Sequence, residues 1–204
     1  MLPARAAFVL LATGLGLAGV CHADAVADAT AVVTRLQAAL VETAALEPDP
    51  GLAERHELLA PVVSETHDLG TMGRLTVRRF WREWNEAERA RFSEAFARLS
   101  IATYASRFAG VAADSFAIVG GSESGERRVE VESLIRRADG TDVSLDYLLE
   151  QDGDRWRIIN VLADGASELS LMAAEYYEIV ESGGIEGLLE ALEEKRAALP
   201  ERGR

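Results

Sequence analysis

The sequence predicts an α+β fold in one domain, a four-stranded antiparallel meander with helices before and after it. Three observations predict this. Apolar residues recur at helical spacing in the first and last thirds of the chain. Residues 126–163 switch to alternation, the mark of a half-buried sheet. Asp139-Gly140 and Asp152-Gly153 separate the alternating runs, and Asp-Gly pairs favour the positive-φ turns of tight hairpins. One face of such a meander is apolar, so helices must cover it.

Ala29, Val33, Leu36 and Leu40 step by four and three, which predicts an amphipathic helix over 25–46 that Pro48-Asp49-Pro50-Gly51 closes. A shorter helix is expected over 52–63 and another over 71–81. Asn85 with Glu88 three residues on forms a capping box, and the helix it starts carries Phe92, Phe96, Leu99 and Thr103 on one face. Strands follow at 115–119, 126–137, 142–151 and 155–163, with residues 120–125 read as the first turn. Ser167 is placed to cap a helix through Leu169, Met172, Tyr176 and Ile179. Gly183-Gly184 stops it, Ile185, Leu188, Leu189 and Leu192 begin another, and the charged tail 193–204 is expected to fray.

Residues 1–23 read as a cleaved leader. Arg5 precedes an apolar run over 6–20, and Cys21 and Ala23 supply small residues at a cleavage site, with cleavage after Ala25 the alternative. The apolar run is shorter than the about 20 residues a membrane span needs. Export as a soluble protein is therefore expected. Removal of the leader takes the chain's one cysteine, so residues 24–204 have no thiol nucleophile, disulfide or sulfur-based metal site. With 34 acidic residues against 21 basic and a net charge of −13, the chain lacks the electrostatic footprint of a nucleic-acid binder or of stable adhesion to anionic lipid.

Chemistry is sparse. His56 and His67 lack a carboxylate partner at metal-pairing spacing and read as exposed or locally bonded; neighbouring His67 and Asp68 point apart. The segment Gly120-Gly121-Ser122-Glu123-Ser124-Gly125 has no Gly-x-Ser-x-Gly register and lies between strands, not between strand and helix. Acidic residues at 150–154 and 190–194 lack the pattern of a calcium loop. Neither a metal nor a cofactor is expected. The aromatic residues concentrate instead: Phe80, Trp81, Trp84, Phe92, Phe96, Tyr104 and Phe108 fall within 29 residues. They either fill a core or line an apolar cavity, and periodicity does not distinguish the two.

Three blocks resemble the MlaC family of periplasmic phospholipid carriers, auxiliary components of a toluene-tolerance ABC transporter. The first runs from His67-Asp68-Leu69-Gly70 through Met72 to Trp81. The second joins Phe92 and Phe96 to Thr103-Tyr104-Ala105. The third runs from Trp156 to Ser167 and continues through Glu175-Tyr176-Tyr177 to Gly183-Gly184-Ile185. Leu162-Ala163-Asp164-Gly165 is also similar to the hopanoid-associated branch, HpnM. Two departures, His67 in place of the family's usual phenylalanine and Gly165-Ala166-Ser167 in place of Gly-Val-Ser, bear on the shape of the pocket.

The resemblance implies a twisted sheet and helices around an apolar cavity that takes the acyl chains of a phospholipid or hopanoid-like lipid. It implies a carrier between membrane-anchored transport complexes of the inner and outer membranes, serving outer-membrane lipid asymmetry, and not an enzyme. Burying a chain is worth about 0.8 kcal/mol per CH₂, so a carrier needs lining and no reactive group. The lining it implies comes from Met72, Leu75, Trp81, Phe96, Leu99 and Tyr104, with Phe108 and Met172 beside them. The strands would add Val131, Leu145, Tyr147, Ile158 and Val161. Each can equally pack a filled core. Two rival classes stand beside the carrier: a small pocket enzyme using Asp68 with His67 or Tyr104, and an adaptor with a filled core.

Overall fold

The computed structural model describes residues 18–137 and 140–201. Residues 1–17 of the expected leader and Asp139 of an expected turn lie outside them. Five helices precede the sheet: α1 (Ala18–Ala44), α2 (Gly51–Thr66), α3 (Leu69–Thr76), α4 (Arg78–Glu83) and α5 (Glu86–Arg107). Strands β1 (Phe116–Glu123), β2 (Arg128–Arg136), β3 (Asp142–Asp152), β4 (Arg155–Ala163) and β5 (Ala166–Ser167) follow, and α6 (Glu168–Ala197) ends the fold.

The sheet is an antiparallel meander in the order β1-β2-β3-β4-β5, with five strands where the sequence predicted four. The missed strand has two residues. Asp164 and Gly165 take φ of 48° and 76°, the pair of positive values that a two-residue hairpin with the sheet's own twist requires. They fold Ala166 and Ser167 back onto Ala163 and Leu162. The Asn160 side chain donates to Ser167 Oγ at 3.0 Å, and Ser167 accepts from Ser170 N–H to cap α6. The expected turn over 120–125 is also corrected. Gly120 and Gly121 lie inside β1, beside a bulge at Ile118/Gly120. A Cβ on Gly121 would sit 3.0 Å from Val26 of α1, so glycine there serves the close crossing of a helix over the strand.

Two further differences concern helices. The single helix expected over 71–81 is broken at Val77 (φ −123°, ψ 29°) into α3 and α4. The break lets Val77 and Phe80 both turn into the core, where they are buried. In α6, Gly184 adopts φ 63°, ψ −163° and kinks one helix where the sequence predicted a stop. The tail is not frayed as far as Glu201. Ser106 donates to the Pro200 carbonyl at 2.6 Å, and the buried Arg55 guanidinium donates to the Glu201 and Ala105 carbonyls and to Asp49.

Burial alternates along β2 and β3 as expected. The buried side chains form two clusters. One joins α1 and α2 to the sheet around Leu36, Leu40, Val131, Tyr147, Leu149 and Ile158. The other joins α3, α4, α5 and α6 around Phe92, Phe96, Tyr176, Leu188 and Leu192. Helix α5 belongs to both, with Ile101 and Ala105 in the first and the two phenylalanines in the second.

Candidate binding site

A cavity of about 390 Å³ lies between the two clusters. The junction of α2 and α3 supplies its base. Asp68 caps α3 by accepting from Thr71 N–H at 2.9 Å, while its own N–H donates to the Ile158 carbonyl at 2.9 Å. His67 pairs with Ile158 as a parallel bridge. The chain is thereby pinned to β4, and the His67 ring is buried at the cavity wall. Helix α3 adds Met72, β4 adds Val161, and the first turns of α6 add Leu169 and Met172. Helix α5 adds Leu99, Ser100, Thr103, Tyr104 and Arg107, which share one helical face because they recur at three- and four-residue steps.

His67 Nε2 lies 2.8 Å from the Tyr104 hydroxyl, and Nδ1 lies 3.1 Å from the Val63 carbonyl and 3.0 Å from Thr66 Oγ1. Burial pushes the imidazole pKa down to about 4, against the opposing pull of the Val63 carbonyl, so the ring is neutral at pH 7. Burial likewise pushes the Tyr104 phenol well above its ordinary range. At the rim, Arg107 pairs with Glu168, and Lys195 with Glu175 at 2.6 Å. These pairs are partly or largely exposed, and such pairs are worth about 0–1 kcal/mol. They are weak fasteners between α5, the start of α6 and its end.

Of the thirteen residues that the resemblance assigned to the lining, Met72, Leu99, Tyr104, Val161 and Met172 face this cavity. Leu75 lies instead in a separate, open groove of about 430 Å³ with Arg78, Arg79 and Tyr177. Trp81 and Phe96 pack in the helical cluster. Val131, Leu145, Tyr147 and Ile158 are buried in the sheet cluster, and Phe108 packs at its edge, stacked on Tyr104 at 5.6 Å. Sequence reasoning omitted Leu69, Ser100, Leu169, Leu171 and Leu199 from the lining, all of which reach the cavity. Ser100 was legible as the position three before Thr103 and four before Tyr104. The approach of Leu199 depends on the path of the tail. His67 is locally bonded, as expected, but buried rather than exposed. Among the described residues, no group of three His, Cys, Asp or Glu side chains is arranged to hold a metal ion.

Sheet, covering helices and a mostly apolar cavity between them define an α+β binding fold. The profile of the MlaC family, described as MlaC protein, matches residues 31–194, and the chain belongs to that family. A solved structure with a similar fold is the phospholipid-binding protein from Ralstonia solanacearum in complex with a phospholipid. The two share 22% identity over 86% of this chain and 98% of that one, with a TM-score of 0.72. No curated protein matches the sequence.

Proposed function

We propose that this chain is a periplasmic lipid carrier, not an enzyme, that holds a phospholipid or related lipid by an acyl chain and shuttles it between membrane-anchored transport complexes. The observation that carries the reading is the cavity between α3, α5, β4 and α6, walled by Leu69, Met72, Leu99, Val161, Leu169 and Met172. Membership of the MlaC family and the phospholipid bound by the similar Ralstonia protein support it. The leader over residues 1–23 would deliver the chain to the periplasm.

Size sets the first constraint on cargo. A methylene occupies about the volume of a water molecule, about 30 Å³, so a chain of about 16 carbons needs roughly 480 Å³. The cavity of about 390 Å³ therefore holds most of one chain, and a second chain enters only if the weakly fastened rim parts. The remaining assigned residues, Val131, Leu145, Tyr147, Ile158, Phe96, Trp81, Leu75 and Phe108, would line a site expanded in this way. The purified protein, extracted into organic solvent and analysed by mass spectrometry, should yield stoichiometric lipid. The same extract separates phospholipid from a hopanoid, and repeated absence of lipid removes the proposal.

A further inference from the structure

The polar atoms on the α5 wall of the cavity have an unequal arrangement of protons. Ser100 donates its hydroxyl proton to the Phe96 carbonyl at 2.8 Å, and Thr103 donates to the Leu99 carbonyl at 2.8 Å. Thr66 donates to the Val62 carbonyl at 2.7 Å. The His67 tautomer follows from its partners. The Val63 carbonyl can only accept, so Nδ1 carries the ring proton and Nε2 presents a lone pair. The neighbour of that lone pair, the Tyr104 hydroxyl at 2.8 Å, must donate to it.

Ser100, Thr103 and Tyr104 thus line one stripe of the cavity with oxygens that have spent their protons and retain only lone pairs. A ligand carbonyl set against this stripe meets no donor, and the next donor on α5, Arg107, is turned to Glu168 at the rim. To bind one, Tyr104 would have to leave His67 Nε2 buried and unpaired, which costs more than the new bond returns. A ligand hydroxyl finds an acceptor already held in place. Tyr176, the remaining tyrosine of the wall, makes no hydrogen bond within the protein among the described residues and serves as the contrast.

We propose that the cavity favours a lipid whose buried chain carries a hydroxyl group, and that Tyr104, oriented by His67, accepts the hydrogen bond that selects it. This rests on the carrier reading and adds to it the chemical class of the cargo. The test uses the delipidated protein and three probes of equal length: stearate, a mid-chain hydroxystearate and the corresponding oxostearate. Calorimetry should show hydroxystearate binding roughly three- to tenfold more tightly than stearate, the worth of one net hydrogen bond. In Tyr176→Phe, which removes the one other tyrosine hydroxyl of the lining, that preference should persist and oxostearate should gain nothing over stearate. Tyr104→Phe should bring hydroxystearate down towards stearate. His67→Phe should release the Tyr104 proton and let oxostearate bind more tightly than stearate, a gain that misfolding does not produce. Equal binding of the three probes by the unaltered protein overturns the inference, as does a preference that survives Tyr104→Phe or disappears in Tyr176→Phe. Binding of no probe at all overturns the carrier reading itself.

Discussion

The two apolar clusters are built differently. The sheet cluster is fixed by hydrogen-bonded ladders between β1, β2, β3 and β4, and eight of its strand residues, including Val129, Val131, Tyr147, Leu149 and Ile158, are buried. The helical cluster has no ladder. Short helices α3 and α4 meet α5 through tilted and edge-on aromatic contacts, with Trp84 and Phe92 centred 5.3 Å apart and Phe92 and Phe96 5.9 Å apart. Its attachment to the sheet side runs through α5, the His67–Ile158 bridge, the Asp68–Arg157 and Asn160–Ser167 contacts with β4, the bond from Arg55 to the tail after α6, and the partly exposed Arg107–Glu168 pair. The cavity opens along this seam. A rigid wall facing a loosely fastened one allows an apolar void to persist without unravelling the fold, since only one side has to give.

That contrast can be broken by substitution. Leu149 is fully buried in the sheet cluster, and Leu149→Ala should cost about 2–5 kcal/mol in urea unfolding, the usual range for such a cavity. Met172 already faces empty space, so Met172→Ala should cost about 1 kcal/mol or less, because it removes few packed contacts. Similar costs for the two would mean that the seam is as tightly packed as the sheet.

The second expectation concerns acid. The His67 pKa is lowered in the folded state to about 4 from 6.5, so between those values the unfolded chain binds more protons than the folded one. Stability from this group is complete above pH 6.5 and falls as pH drops towards 4, by about 3 kcal/mol in all. His67→Phe should flatten that part of the stability profile. An unchanged acid slope would place the sensitivity elsewhere.

The smallest effect compares adjacent glycines. Gly184 occupies a backbone region reserved almost entirely for glycine, and Gly184→Ala should cost about 1–3 kcal/mol. Gly183→Ala, at a helical position with open space around its Cβ site, should be neutral or slightly stabilising. Thermal unfolding of the pair distinguishes a kink required by the fold from an incidental one.

Much of the architecture is legible in the chain. Alternation marked β2, β3 and the start of β4, whose outer faces are less buried than their inner ones, whereas β1 was read only as the run 115–119 and extends on to Glu123. The Asn85–Glu88 capping box and the Ser167 cap occur as read, since both are local bonds between residues three apart. The break at Val77 was not legible: Thr71 to Trp81 is helical in pattern, and only the demand to bury both Val77 and Phe80 divides it. Gly120 and Gly121 read as a turn because glycine signals both turns and close approaches, and the approach here comes from Val26, far away in sequence. The lining was legible only in part for the same reason. Phe96, Leu99 and Tyr104 share a helical face in sequence, yet Leu99 and Tyr104 reach the cavity while Phe96 is held in the helical cluster.

The sequence by itself determined the α+β order, the apolar faces and the caps, all of which arise from neighbours within a few positions. It also determined the family likeness, through blocks whose spacing survives degenerate letters. Only the tertiary structure decided where the two clusters fail to meet. An apolar side chain gains similarly from leaving water whether it packs against a neighbour or faces a shared void, so its pattern in the chain is the same in both cases. The placement of β4 against α3 and α6, and the pinning of His67 between Ile158 of β4 and Tyr104 of α5, decides which apolar residues pack and which are left to line a cavity.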